Sequence, residues 1–231
     1  MVDRSVANIV LFGPPGAGKG TQADKLVNEF KLFKVSTGDL LREEIKKKSA
    51  LGNKIKSIID KGMLVQDNII NDLIEKVLDK KKYFNSLIFD GYPRNLSQAK
   101  NLDKLIKKYK QKLSCVLSLK VDTDIIVKRI LGRLICSKCG SIFNSFFSPA
   151  TKENHHCGSK FLQRRSDDNE ESIKNRFQIY NTETLPILDY YENQKLLHEI
   201  DGMRDISIIY KEIRQIIHAL ESWLYNVYLY K

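Results

Sequence analysis

Apolar residues follow two alternating patterns along the chain, short branched-aliphatic runs and longer stretches with helical spacing. Runs of strand length cover residues 6–12, 33–36, 86–90, 113–121 and 196–200. Between them, apolar residues recur every three or four positions, as in residues 21–30, and a last helical stretch covers 206–220. Strands that alternate with helices predict an α/β fold, in which helices cover both faces of a parallel sheet.

Length and charge change this picture only slightly. The 231 residues suffice for one compact core with small inserts. A formal net charge of +11 would suit nucleic acid or an anionic membrane. However, the lysines are spread over runs such as 46–48, 80–82 and 104–112, on the polar faces of predicted helices, where charge is usually solvated. We therefore expect no nucleic-acid and no membrane partner.

The cysteines and the start of the chain bear on compartment. Residues 1–5 lack the composition of a secretory signal and lead directly into the first predicted strand. Three of the four cysteines are clustered, a pattern typical of metal binding or free thiols in a reducing compartment. The fourth, Cys115, lies inside a predicted strand, where it is expected to be a small buried hydrophobic residue. These features predict a cytoplasmic protein.

The loop after the first predicted strand carries the most informative motif. Residues 13–21 read Gly-Pro-Pro-Gly-Ala-Gly-Lys-Gly-Thr and fit Gly-x-x-x-x-Gly-Lys through Gly13, Gly18 and Lys19. The glycines allow backbone N–H groups to turn toward a phosphate, while the following helix adds its positive N-terminal end and Lys19 a full charge. Because the motif lies between a strand and a helix, it predicts a nucleotide phosphate site rather than a chance glycine-rich turn.

Further motifs narrow the class of nucleotide-binding protein. Gly20 follows the lysine, and the hydroxyl comes one position later, at Thr21. Downstream lie Ser-Thr-Gly-Asp-Leu-Leu-Arg at 36–42, Asp-Gly-Tyr-Pro-Arg at 90–94, Arg129-x-x-x-Arg133, and Arg-Arg-Ser-Asp-Asp-Asn at 164–169 followed by Arg176. In this order the motifs resemble adenylate kinase, in the long form that carries an inserted lid. The resemblance extends from about residue 6 to about residue 217.

The resemblance implies a P-loop three-layer α/β/α fold with two inserts. It assigns residues 1–35, 66–131 and 169–231 to the core, 36–65 to a helical insert that binds the acceptor monophosphate, and 132–168 to the lid. It implies a monomer that transfers the terminal phosphoryl group of Mg-ATP reversibly to AMP, giving two ADP by direct in-line transfer. Its partners would be ATP, AMP and ADP, and its cofactor Mg²⁺.

Phosphoryl transfer between two ionised nucleotides requires positioning, counter-charge and exclusion of water, and no nucleophilic side chain. Arginine is suited to this because its planar fork binds phosphate oxygens in pairs and stays charged. For any single arginine the alternative is a surface ion pair. The resemblance implies catalytic roles for Lys19, Arg94, Arg129, Arg165 and Arg176.

The resemblance also distributes residues over the two nucleotides. Those implied for ATP are Gly16, Ala17, Gly18, Lys19, Gly20, Thr21, Arg129, Arg133, Ile142, Phe143 and Arg204. Those implied for AMP are Thr37, Gly38, Arg42, Met63, Leu64, Val65, Gly91, Tyr92, Arg94, Gln98, Arg165 and Arg176. Asp90 is implied to hold magnesium through water, with capping of the next turn as a compatible role. Asp167 and Asp168 would orient arginines or contact the donor ribose.

The lid sequence contains half of a zinc motif. Cys136-x-x-Cys139 has the spacing of a zinc knuckle, and Cys157 supplies a third thiolate. Asn154 stands where a fourth cysteine belongs, so a one-residue slip would bring His155 or His156 into the vacant position. Solvated loop histidines are the alternative. Zinc held only by protein ligands would be structural, since no position stays open for chemistry.

Three other functions share part of this pattern. A GTP:AMP phosphotransferase would have nearly every motif named above. A non-catalytic nucleotide switch or a zinc-ribbon RNA binder would need only one nucleotide site or none, whereas the arginine set indicates two. Residues 223–231 hold one Trp and three Tyr beyond the family pattern, and we expect them to pack back on the body.

Overall fold

A five-stranded parallel sheet forms the centre of the computed structural model, which describes residues 8–229 and the side chains of residues 8–221. The strands are β1 Asn8–Phe12, β2 Phe33–Ser36, β3 Leu87–Asp90, β4 Leu113–Lys120, β5 Arg133–Cys136, β6 Ile142–Asn144, β7 Leu162–Gln163 and β8 Leu197–Asp201. The central sheet has the order β2-β3-β1-β4-β8, and all of its neighbouring strands are parallel. The predicted α/β class is therefore confirmed.

Helices cover both faces of this sheet. They are α1 Lys19–Phe30, α2 Thr37–Lys46, α3 Ala50–Asp60, α4 Asp67–Leu78, α5 Leu96–Lys108, α6 Thr123–Leu131, α7 Glu170–Ile179, α8 Ile187–Glu192 and α9 Ile206–Leu229. Successive strand side chains point to opposite faces, so β1 contributes to two cores. Ile9 and Leu11 pack with α1 and α9, whereas Val10 and Phe12 pack with the core that includes α4, α5 and α8.

The predicted element bounds agree closely with these. Residues 33–36 match β2, β3 begins one residue later than predicted, β4 ends one earlier, and β8 is shifted by one. Helix α1 begins at Lys19 rather than at residue 21, and Cys115 is fully buried in β4, as predicted. Helix α9 continues to Leu229, because no glycine or proline after residue 220 ends it.

Parts of two predictions lie outside the described residues. Residues 6 and 7 of the first predicted strand are outside them, and so are the side chains of residues 223–231, whose packing was predicted. In the described part of the chain, no helix combines the length and the apolar character that crossing a membrane requires.

Two segments extend from the carboxyl end of the central sheet. The segment 36–65 contains α2 and α3, and the segment 132–168 contains a small antiparallel sheet of order β6-β5-β7. The loop between β1 and α1 opens toward both segments, since the carboxyl ends of parallel strands share one edge of the sheet. This edge holds the cavity described next.

Candidate active site

The glycine-rich loop between β1 and α1 is built around Lys19. Helix α1 begins at this residue, and Gly18 precedes it in the left-handed conformation with φ 93°. The Lys19 ammonium donates to the carbonyl oxygens of Gly13 at 2.7 Å and Pro14 at 2.9 Å. Burial lowers the pKa of Lys19 to about 8, against a smaller opposing effect of Asp90. A phosphate would supply the counter-charge that this buried ammonium lacks.

Gly16 shows why this loop needs glycine. Its φ is 81°, and a Cβ atom there would lie 2.8 Å from the side chains of Ile126 and Ile130 in α6. Both isoleucines are fully buried, so neither has space to give way. The loop is thus pressed against α6, which also carries Arg129 at its C-terminal end.

One cavity of about 740 Å³ brings together the loop, the segment 36–65 and the segment 132–168. Every residue implied for ATP lines it: Gly16, Ala17, Gly18, Lys19, Gly20, Thr21, Arg129, Arg133, Ile142, Phe143 and Arg204. So do eleven of the twelve implied for AMP: Thr37, Gly38, Arg42, Met63, Leu64, Val65, Gly91, Arg94, Gln98, Arg165 and Arg176. Asp90 also lines it, at the carboxyl end of β3.

Tyr92 is the exception among the residues implied for AMP, and the expectation that it contacts the nucleotide needs correction. Its side chain is 1 % exposed and does not line the cavity. Its hydroxyl donates to Asn71 Oδ1 at 3.0 Å, and its ring lies 6.3 Å from that of Phe89. A tyrosine ring can be buried in the core when its hydroxyl has a hydrogen-bond partner there. Tyr92 therefore supports the wall from behind.

Two aspartates hold two of the arginines in place. Asp168 accepts a bidentate pair from Arg133, with the Nε–Oδ2 distance at 2.8 Å, and its carboxylate is almost fully buried. Arg176 Nη1 lies 3.3 Å from Asp167 Oδ2 and 3.5 Å from Asp168 Oδ1. Asp167 and Asp168 were expected either to orient arginines or to contact the donor ribose, and these contacts correspond to the first role.

The guanidinium groups of Arg42, Arg94 and Arg165 have N–H donors that their protein partners do not use. Arg94 Nε donates to the Gly91 carbonyl oxygen at 2.8 Å, and Arg42 pairs with Asp39 at 2.6 Å. The buried Nε of Arg165 has no hydrogen-bond partner. Burial, followed by repulsion from neighbouring arginines, lowers the pKa of Arg94 and of Arg165 to about 10. Such a concentration of buried positive charge favours a polyanionic ligand.

The acceptor side contains a partner that the sequence analysis missed. Gln98 Oε1 accepts from the Arg94 backbone N–H at 2.8 Å, and its Nε2 donates to Asp67 Oδ1 at 2.7 Å. Asn95 also donates to Asp67, at 3.0 Å. Asp67 thus fixes the amide orientation and leaves one Nε2 hydrogen of Gln98 for a ligand. The position of Asp67 in the first turn of α4 was the only signal in the sequence, because its contact with Gln98 in α5 joins two segments that are distant in the chain.

On the donor side, a second missed residue is Phe147. This half-exposed ring lines the cavity, and the Arg129 guanidinium lies 5.8 Å from its centroid. Arg129 also donates to the Gly202 carbonyl oxygen at 3.1 Å. The two adjacent phenylalanines at 146 and 147 were the sequence feature that could have indicated this contact. Phe143 is largely buried and packs edge-on against His155, at 4.9 Å between centroids.

The predicted lid ligands converge. Ligand atoms of Cys136, Cys139, His155 and Cys157 all lie within 4.8 Å of one another, and His156 is not part of the cluster. Asn154 Oδ1 accepts from the Thr151 N–H at 2.8 Å, and its Nδ2 donates to the Pro149 carbonyl oxygen at 3.1 Å. Asn154 therefore shapes the turn that presents His155, instead of acting as a ligand.

This cluster has the chemistry of a zinc site. His155 Nε2 is buried and has no hydrogen-bond partner, a cost that a metal bond would remove. Hydrogen bonding with Ser141 lowers the pKa of the Cys139 thiol to about 6 and favours a thiolate there, whereas burial and the two neighbouring thiols raise the pKa of Cys157 to about 11. Three thiolates and one imidazole are a standard tetrahedral set.

Comparisons with known proteins agree with this geometry. The family model described as adenylate kinase matches residues 11–196. An adenylate kinase of Pelagibacter ubique is 44% identical over 210 residues, which are 91% of this chain and 99% of the relative. An adenylate kinase of Archaeoglobus fulgidus is 37% identical over 217 residues, 93% of this chain and 100% of the relative. One of Enterococcus faecalis is 38% identical over 212 residues, 91% and 98% of the two chains. The chain therefore belongs to the adenylate kinase family.

Proposed function

We propose that this protein transfers the terminal phosphoryl group of Mg-ATP reversibly to AMP and so forms two ADP. The observation that carries the proposal is the convergence of Lys19 and six arginines on a single cavity, which Lys25, Lys34 and Arg204 also line. The converging residues are Lys19, Arg42, Arg94, Arg129, Arg133, Arg165 and Arg176. Lys19 comes from the start of α1 and Arg42 from the 36–65 segment, while the core contributes Arg94, Arg129 and Arg176 and the lid Arg133 and Arg165. These charges can therefore surround the phosphates of two nucleotides.

The reaction is an in-line displacement. An oxygen of the AMP phosphate attacks the terminal phosphorus of ATP, and the bond from that phosphorus to the bridging oxygen breaks. The donor leaves as one ADP, and the acceptor AMP becomes the other. Lys19 and the buried arginines stabilise negative charge on the transferred group, and no general base is needed because the acceptor is already ionised. Asp90, at the cavity wall, fits a water-mediated hold on Mg²⁺, which would neutralise charge on the donor phosphates.

We assign the two nucleotides to the two sides of Lys19. The donor would lie between the glycine-rich loop and the lid, with its base near Arg129 and Phe147, whose cation–π contact offers a flat apolar surface. The acceptor would lie against Thr37, whose hydroxyl donates to the Gly91 carbonyl oxygen at 2.8 Å, and Gln98, which offers its remaining amide hydrogen to the base. The catalytic set stays Lys19, Arg94, Arg129, Arg165 and Arg176.

We further propose that Cys136, Cys139, His155 and Cys157 bind one structural zinc ion. Among residues 133–166, Cys136, Phe143 and His155 are the only buried side chains in the described part of the chain. Because a core of this size stabilises little, a metal is the more effective cross-link for the lid. All four ligands would come from the protein and leave no position open for substrate, so the zinc would take no part in the chemistry.

The donor base separates this function from the GTP:AMP alternative. Asn144 lines the cavity, but its amide already donates to the Arg129 carbonyl oxygen at 2.7 Å and accepts from the Phe146 N–H at 2.9 Å. A coupled assay of AMP phosphorylation with ATP and GTP side by side decides the donor. We expect a higher kcat/KM with ATP, and a higher value with GTP would favour the alternative.

The number of nucleotide sites separates an enzyme from a switch or an RNA binder. A mimic in which five phosphates join two adenosines should bind far more tightly than ATP or AMP alone, because both segments close over it. Arg176→Ala should weaken the mimic strongly. The matched control Arg214→Ala, which removes an exposed arginine paired with Glu29 on the surface, should leave it unchanged. Equal affinity for the mimic and for ATP would indicate a single site.

Three accompanying predictions belong to the same proposal. The segments 36–65 and 132–168 would move as units against the remaining core, which comprises 1–35, 66–131 and 169–231. The protein would act as a monomer, because the cavity needs no residue from a second copy. A cytoplasmic location rests on the cysteines, all four of which are free thiols.

A further inference from the structure

A basic surface lies at the end of the sheet opposite the cavity. The loops at residues 31–32, 80–86 and 110–112 precede β2, β3 and β4, and the amino ends of parallel strands share one edge. These residues include six lysines, and Asp79, which directly precedes Lys80, is the one acidic residue of the loop between α4 and β3. The cavity is at the carboxyl ends of the same strands, so the function proposed above does not use this surface.

Exposed aromatic rings are set among these lysines. Phe33 stacks on Tyr83 with ring centroids 3.8 Å apart, and the Lys82 ammonium lies 4.6 Å from the centroid of Tyr83. Phe84 is 51% exposed and Phe33 is 39% exposed. We call this surface the basic aromatic patch and define it by Phe33, Lys80, Lys81, Lys82, Tyr83 and Phe84.

Buried polar contacts hold the loops of the patch together. Gln111 Oε1 accepts from Asn8 Nδ2 at 2.9 Å and from the Asn85 N–H at 3.2 Å, and Asn85 Oδ1 accepts from the Lys112 N–H at 2.9 Å. Asn8 and Gln111 are buried. The loop that carries the patch is therefore fixed to the sheet, so its charges and rings are presented in one arrangement.

The charge of the patch is not neutralised by neighbouring carboxylates. Lys80, Lys81 and Lys82 are exposed and form no ion pair with any residue that the structure describes. Asp79 adjoins the run, and Glu75 pairs instead with Lys108 at 2.5 Å. Lys110 and Lys112 are exposed on the neighbouring loop and extend the positive surface. Exposed aromatic rings beside clustered lysines differ from the ordinary solvated helix face that the sequence analysis assigned to this run.

We propose that the basic aromatic patch docks the protein on an anionic lipid surface. Clustered lysines gain energy from the potential of such a surface, and half-exposed Phe side chains enter the interfacial region. Nucleic acid fits less well, because binding a single strand requires a series of open rings on which successive bases stack, and in the patch Phe84 is the ring with the greatest exposure, at 51%. Phe33 covers one face of Tyr83, and the Lys82 ammonium lies over the ring. With the patch on the lipid, the cavity at the opposite end of the sheet faces solvent and stays open to nucleotides.

Vesicle co-sedimentation at about 0.1 M salt tests this docking. The full chain should bind vesicles of phosphatidylcholine with phosphatidylglycerol and not vesicles of phosphatidylcholine alone. K80Q/K81Q/K82Q should weaken binding about a hundredfold, since each basic side chain near an anionic surface contributes about fivefold. Phe84→Ser should weaken it by a smaller factor. Both variants should keep wild-type turnover, because the patch is remote from the cavity.

The chain offers a matched control. K46Q/K47Q/K48Q removes the same charge from another run of three exposed lysines, at the end of α2. It should change vesicle binding by less than threefold, which would tie docking to the patch rather than to net charge. Equal losses in the two triple variants would overturn the proposal, and so would absence of binding to anionic vesicles. Binding to a single-stranded RNA oligomer that only K80Q/K81Q/K82Q weakens, without vesicle binding, would overturn it in favour of nucleic acid.

Discussion

The glycine-rich loop and the lid reach a defined geometry by different physical means. The loop lies between a strand whose residues are all buried and a helix that begins at Lys19, and it is pressed against α6 at Gly16. The lid has three short strands and very few buried side chains. In our proposal, zinc held by Cys136, Cys139, His155 and Cys157 supplies the order that so small a core does not.

This difference indicates which changes each region tolerates. In the loop, the backbone shape is maintained by the core, so a side chain can be removed with a loss of function and little loss of structure. In the lid, the proposed zinc site would maintain the shape, so removal of its ligands should loosen structure first. Both regions contribute charges to the same cavity. The predictions below therefore compare the effect of changes in the loop with the effect of changes in the lid.

Lys19→Ala should have the largest effect. Lys19 is partly buried at the end of the loop and donates only to the backbone carbonyls of Gly13 and Pro14 among the described hydrogen bonds. We expect turnover to fall by about three orders of magnitude, as is typical when a charge is removed from a dry phosphate site. The midpoint of thermal unfolding should not fall at neutral pH, because the change removes a charge that burial disfavours. The exposed Lys174→Ala is the control, and turnover within tenfold of wild type in a folded Lys19→Ala protein would contradict the assignment.

Removal of the lid metal should come next. Cys139→Ser, or treatment with a chelator, should lower the midpoint of thermal unfolding by about 5–10 °C while part of the turnover remains, because the arginines lie outside the cluster. Metal analysis of protein purified without added zinc or a histidine tag should give one zinc per chain.

The matched control for this change is Cys115→Ala, which removes a thiol buried in β4 and should leave the zinc content at one. A zinc content near zero in the wild-type protein, with no response to the chelator, would mean that hydrogen bonds alone hold the lid.

The lowered pKa of Lys19 predicts a pH-dependent stability. Burial lowers this pKa to about 8 in the folded protein, whereas an unfolded lysine titrates near 10.4. Between these values the unfolded chain retains a proton that the folded chain has lost, so the stability contribution of Lys19 rises with pH. Relative to Lys19→Met, the wild-type free energy of unfolding should gain about 1–3 kcal/mol between pH 7.5 and pH 10.

Urea unfolding of both proteins without nucleotide measures this gain. Lys174→Met, which removes an exposed lysine, should show a difference from wild type that stays constant with pH. If the difference in free energy of unfolding between Lys19→Met and wild type were also constant with pH, burial would not be the origin of the lowered pKa of Lys19.

The smallest effect is expected at Asn154. Its two hydrogen bonds, to the Thr151 N–H and the Pro149 carbonyl, shape the turn before His155. Asn154→Ala should lower zinc affinity by about tenfold, as is usual for residues that orient a ligand. Competition with a chelating dye measures this. His156→Ala should have no effect, and equal losses in the two variants would indicate that either histidine can bind the metal.

Much of this protein could be predicted from local sequence. The β1 and β2 runs, the loop motif and the ordered arginine motifs depend on residues that are close in the chain, and the resemblance they carry names the family that the comparisons confirmed. The fold class follows for the same reason, since strand and helix periods are local properties. Even the zinc hypothesis needed only the Cys-x-x-Cys spacing and one nearby cysteine.

Tertiary structure decided what depends on contacts between distant segments. It selected His155 over His156, placed Tyr92 behind the cavity wall, and set Asp67 against Gln98. It also turned one lysine run among several into the basic aromatic patch, because β2 and β3 are neighbours in the sheet and bring Phe33 onto Tyr83. Sequence fixes the period and the chemistry of each segment, whereas the side chains that meet are determined by strand order, which is settled only when the whole core packs.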